Sequence, residues 1–157
     1  MLDCTDRHFR YLARLLSRQA WLYTEMITTD ALLHGSADDL LAYSPQEHPL
    51  ALQLGGSDPH DLVHCARLGA ERGYDEINLN VGCPSHKVQQ HLIGAYLMAH
   101  PQRVADCIAA MGAAVDIPVT IKHRIGLDHC DDYDHLARFV ENVAGAGCKS
   151  FIVHARS

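Results

Sequence analysis

The feature that most constrains the fold is an alternation. Short, mostly apolar runs of strand length cover residues 21–26, 49–54, 76–80, 118–122 and 150–154. Helical patterns lie between them. Thr5 can cap a first helix through its hydroxyl, with Phe9, Leu12, Leu15 and Leu16 recurring at helical spacing. Ser57-Asp58-Pro59 opens a second, since proline is tolerated in a first turn, and Gly73 marks its end. Pro101 starts a third, whose Val104, Ile108 and Met111 share one face. Leu136, Phe139, Val140 and Val143 mark a fourth, ended by Gly145 or Gly147. Near-continuous apolar strands separated by helices describe a parallel sheet covered on its faces, an α/β architecture.

The strand exits carry polar residues: Glu25, Gln53, Asn78 and Asn80, Lys122, and His154. A parallel barrel gathers its strand ends on one face, where its chemistry is done. A doubly wound sheet binds at a switch point instead, and no G-x-G-x-x-G follows a strand here. A (β/α)8 barrel is therefore the better reading. Five strands and 157 residues fall short of the eight strands and roughly 250 residues of a closed barrel. The chain reads as one partial barrel domain, residues 1–157, covering about strands two to six, with both ends looking cut. Such a half-barrel is expected to leave strand edges unpaired and one apolar sheet face uncovered, and so to self-associate.

The formal net charge of −6 argues against a surface that wraps nucleic acid unaided. No apolar run approaches the ~18 residues of a membrane helix, and no secretory leader is visible. Six dispersed cysteines without a C-x-x-C pair read as reduced cytosolic thiols. His129, Cys130, Asp131, Asp132 and His135 are metal-ligand types, but their spacing fits no familiar site. A polar loop capping a helix explains them more simply, and no metal is expected.

Several stretches then carry a resemblance. Met1-Leu2-Asp3-Cys4-Thr5-Asp6-Arg7-His8, Tyr23-Thr24-Glu25-Met26 and the run from His48 to Gly56 are among them. So are Tyr74 to Ser85 with its Asn78-Leu79-Asn80-Val81-Gly82-Cys83-Pro84 core, Val119 to Gly126, and Ile152-Val153-His154-Ala155-Arg156. Together they resemble the tRNA-dihydrouridine synthases, close to the DusA subfamily, over the whole length in one register. The resemblance implies a TIM barrel binding FMN, followed by a helical domain that is missing here. It implies that NADPH reduces the flavin, that hydride then passes to C6 of a tRNA uridine, and that an enzyme acid protonates C5. By position, Met1, Leu2, Gln53, Lys122 and His154 would contact FMN, and Asn80 and Ile93 would lie toward the substrate. The residue chemistry agrees: Lys122 can stabilise negative charge on a reduced ring, Gln53 can donate and accept, and His154 can donate. Taken alone, Lys122 would read as a solvated or ion-paired lysine.

The sequence departs from the family in one segment. Where the family has Gly-Ala-Cys-Leu-Met, with the cysteine as proton donor, this chain has Gly94-Ala95-Tyr96-Leu97-Met98. The preceding Asn-Gly pair is replaced within Gln89-Gln90-His91-Leu92-Ile93. Tyr96 is expected to crowd the uracil and impair turnover. Without strands seven and eight the usual phosphate anchor is expected to be lacking. A second polypeptide completing the barrel is one expectation. The other readings are a non-catalytic remnant and another flavin barrel of dihydroorotate dehydrogenase type.

Overall fold

The computed structural model describes residues 4–85, 92–127 and 132–156. Five strands form one parallel sheet in sequence order: β1 (Leu22–Thr28), β2 (Leu50–Gly55), β3 (Glu76–Val81), β4 (Val119–Arg124) and β5 (Phe151–His154). The helices are α1 (Arg7–Leu16), α2 (Thr29–His34), α3 (Ala37–Leu40), α4 (Pro59–Glu71), α5 (Pro101–Ala114) and α6 (Tyr133–Gly145). Short 3-10 turns occupy Pro45–Glu47 and Gly94–Ala99. Unbroken sequence order in a parallel sheet, with helical crossovers, is the wall of a (β/α)8 barrel.

Local chemistry sets the boundaries. Asp58 caps α4 by accepting from the His60 and Asp61 amides, with Pro59 next. Asp132 does the same for α6 through the His135 amide at 2.7 Å. Asp6, not Thr5, caps α1: its carboxylate accepts from the Phe9 amide at 2.8 Å. The strand side chains alternate. Leu50, Leu52, Leu54, Ile77, Leu79 and Ile121 point to the helix layer and are fully buried there. Gly69 lets α4 lie directly on the sheet, because a Cβ there would stand 2.7 Å from Leu52 and 2.8 Å from Ile77.

A further expectation is corrected. The sheet face turned away from the helices is polar rather than apolar, and largely buried: Tyr23, Gln53, Glu76, Asn78, Asn80 and Thr120 hydrogen-bond to one another across it. The unpartnered apolar surface lies instead on α1, where Phe9, Leu12, Leu15 and Leu16 are all more than half exposed. That helix turns Arg10 and Arg14 inward. Arg10 pairs with the fully buried Glu47 at 2.5 Å, and Arg14 donates to the carbonyls of Ala20 and Glu47. The β1 and β5 edges of the sheet are open among the described residues.

Candidate active site

Parallel strands all end on the same side, so residues near their C-terminal ends converge. In β2 to β5 the two-residue period carries Gln53, Asn78 and Asn80, Lys122 and Arg124, and Ile152 and His154 onto the inner face. In β1 a register shift between Tyr23 and Met26 re-aims the strand, and both side chains face inward. All of these but the fully buried Asn78, with Gly82, Cys83 and Pro84, line a cavity of about 430 Å³.

The cavity has three kinds of wall. Met26 and Ile152 supply apolar surface. Gln53 and Asn80 supply amides and are held together, Asn80 Nδ2 donating to Gln53 Oε1 at 2.9 Å. Lys122, Arg124 and His154 supply cations or donors, and none of the lining residues is acidic. In a chain of net charge −6 this is a local reversal of sign that suits an electron-rich or anionic ligand. Among the described residues, no hydrogen bond or ion pair engages the Lys122 side chain. Arg124 is tied by its Nε to the Gly82 carbonyl at 2.8 Å, which locks β4 to the turn after β3. Asn80 shapes that turn: its Oδ1 accepts from the Gly82 and Cys83 amides at 3.1 and 2.9 Å. Burial beside the Glu76 carboxylate pushes the Tyr23 phenol well up, so Tyr23 stays protonated and donates to Glu76.

Gln53, Asn80, Lys122 and His154 are thus brought to one cavity. Met1 and Leu2 lie outside the described residues, as do Gln89, Gln90, His91, His129, Cys130 and Asp131. Ile93 and Tyr96 are not among the lining residues. Ile93 is buried over the end of β2, with its Cγ2 3.1 Å from where a Cβ on Gly55 would stand. Tyr96 is 38% exposed, its ring 4.9 Å from that of His100. Sequence reasoning missed Arg124, Tyr23 and Met26. Arg124 was within reach, two residues beyond Lys122 on the same face.

A second cavity, of about 560 Å³, lies at the opposite strand ends between α5 and α6, among Ile108, Val115, Pro118 and Lys149. It is remote from the convergent donors. No helix among the described residues is long and apolar enough to cross a membrane.

Comparison with known proteins agrees with the geometry. The family model of dihydrouridine synthase (Dus) matches residues 1–157. The tRNA-dihydrouridine(20/20a) synthase of Synechocystis is 62% identical over 156 residues, covering 99% of this chain and 47% of the relative. That of Pseudomonas putida is 63% identical over 156 residues, covering 99% and 46%. The Salmonella typhimurium relative is 62% identical over 157 residues, covering 99% and 47%. The chain therefore spans about half the length of the curated relatives it matches. Among solved structures, phosphonopyruvate hydrolase in complex with oxalate and Mg++ superposes with a TM-score of 0.60 at 15% identity, covering 98% of this chain and 57% of that one. Likeness at that identity speaks for the barrel fold alone. Five consecutive parallel strands, a convergent strand-end site and a family match from end to end place the chain in the dihydrouridine synthase family, as a partial (β/α)8 barrel.

Proposed function

We propose that the strand-end cavity binds the ring of FMN, and that residues 1–157 form one partial barrel domain carrying the flavin side of a tRNA-dihydrouridine synthase site. The observation that supports this most is the donor set. A flat heterocycle with carbonyl and ring-nitrogen acceptors needs apolar walls, convergent donors and a cation, which Met26, Ile152, Gln53, Asn80 and Lys122 combine. Bound flavin supplies the hydride chemistry by which NADPH and one proton saturate the C5–C6 bond of a tRNA uridine, hydride reaching C6 and the proton C5. The chain's own contribution is to orient the ring through Gln53 and Asn80 and to balance charge through Lys122. His154, at the exit of β5, gives a further donor. By their positions in the family pattern, Asn80 and Ile93 would lie toward the substrate, and the reaction would run in the cytoplasm, where tRNA and NADPH are found.

Tyr96 stands where the family has its proton-donating cysteine. A phenol has an ordinary pKa of ~10 against ~8.5 for a thiol, and its ring takes more room. We read it as impairing turnover. The remaining strands and helices of the barrel are the occupant we assign to the open strand edges and to the apolar face of α1. They would come from a longer form of this chain or from a second polypeptide. Incubation with unmodified tRNA, FMN and NADPH, followed by quantification of dihydrouridine, tests the reading. Little product from the chain as given and more from Tyr96→Cys are the expected results. Efficient turnover that Tyr96→Phe abolishes would overturn the view of Tyr96, and FMN failing to bind would overturn the site.

A further inference from the structure

The polar contacts inside the half-barrel form one directional chain. The Gly82 and Cys83 amides can only donate, so Asn80 Oδ1 accepts both. Asn80 Nδ2 is then left to donate to Gln53 Oε1 at 2.9 Å. Gln53 Nε2 donates in turn to Asn78 Oδ1 at 2.9 Å, and Asn78 Nδ2 to Thr120 Oγ1 at 2.8 Å. The single Thr120 proton goes to Glu76 Oε1 at 2.5 Å, which also accepts from the Tyr23 hydroxyl at 3.1 Å. The chain therefore ends on groups that can only donate at the cavity and on a carboxylate at the barrel floor. Both ends demand the same polarity. Asn78 is fully buried, so no water can replace a reversed partner without loss.

We propose that Asn78, Thr120 and Glu76 are positioning residues, which lock the Gln53 and Asn80 amides in one orientation and so make them present N–H groups to the cavity. Asn80 Oδ1 already takes two hydrogen bonds, so Asn80 meets a ligand as a donor only. Gln53 keeps one N–H and one oxygen lone pair. The site thereby selects a heterocycle edge made mainly of acceptors, carbonyl oxygens and unprotonated ring nitrogens, over an edge made of N–H groups. This rests on the reading that the cavity holds a flavin ring.

The test has two arms on the purified full chain. In labelled wild-type protein, through-hydrogen-bond NMR correlations should link Gln53 Nε2 to Asn78 Cγ and Asn80 Nδ2 to Gln53 Cδ. Their absence from a folded spectrum overturns the relay, whatever flavin does. In FMN titrations read by fluorescence quenching, Thr120→Val should weaken binding about fivefold, the scale of one lost hydrogen bond, while Thr120→Ser stays within about twofold. Wild-type affinity in a folded Thr120→Val chain overturns the positioning role. If wild-type protein takes up no FMN, the flavin reading falls. The correlations then decide the relay alone.

Discussion

Arg10→Met should cost the fold more than any exposed substitution on the same helix. Arg10 and Glu47 are buried side by side, with Nε 2.5 Å from Oε2, and Arg10 Nη1 also donates to the Thr5 carbonyl at 2.7 Å. Removing the guanidinium strands the Glu47 carboxylate, which is fully buried and, among the described residues, keeps only the Ser44 amide on its Oε1 at 2.7 Å. Breaking such a pair from one side costs about 3–5 kcal/mol, whereas removing both charges is close to neutral. Set against the ~5–15 kcal/mol of a typical domain, the single change removes a large share of the total. Arg10→Met with Glu47→Gln should recover at least half of the loss, because the amide still accepts from Ser44 and carries no charge. Urea unfolding followed by circular dichroism and by the one tryptophan, Trp21, reads both. A single variant within about 1 kcal/mol of wild type, or a double variant no better than the single, would refute the buried-pair argument.

Four further expectations concern the outer layer, a turn and the cavity. His123 packs against Phe139 and Phe151, donates its Nδ1 proton to the Arg124 carbonyl at 2.6 Å, and is held neutral by burial, its pKa below the ordinary value. The stability it contributes is complete above about pH 6.5 and is lost as pH falls toward the lower, folded-state value. His123→Leu should flatten that limb in melting curves between about pH 7 and 5, and an unchanged limb contradicts the assignment. Gly73 ends α4 at φ +86, so Gly73→Ala should destabilise by about 1–2 kcal/mol in the same urea assay. Gln53→Leu should weaken FMN binding by roughly tenfold, and Lys122→Met should weaken reduced flavin more than oxidised, shifting the bound potential negative. Equal losses for both redox forms would remove the charge-balancing role from Lys122.

Much of the architecture was legible because it rests on local pattern. The run 49–54 is followed by Gly55-Gly56 and an Asp-Pro helix start, and β2 and α4 form there. Strand-end polarity likewise located Gln53, Asn80, Lys122 and His154 in one cavity. What was not legible depends on contacts distant in sequence. The apolar spacing of α1 marked a helix but not its inward face, because Glu47, 37 residues away, draws Arg10 into the interior. Tyr23 reaches the inner face of β1 together with Met26 only because the strand register shifts, which no residue of that run signals. The polar interior was half visible: Glu76-Ile77-Asn78-Leu79-Asn80 alternates, yet only its exit was read as chemical. Its meaning depends on Gln53 and Thr120, from neighbouring strands, completing the hydrogen bonds.

The central claim, that the strand exits form a flavin site, is tested most directly by titrating FMN into the folded, monodisperse chain and following flavin fluorescence. Saturable quenching at micromolar flavin, weakened in Gln53→Leu, is the predicted result. Flat fluorescence from a folded, monodisperse chain would contradict it and leave Gln53, Lys122 and His154 as neighbours without a ligand.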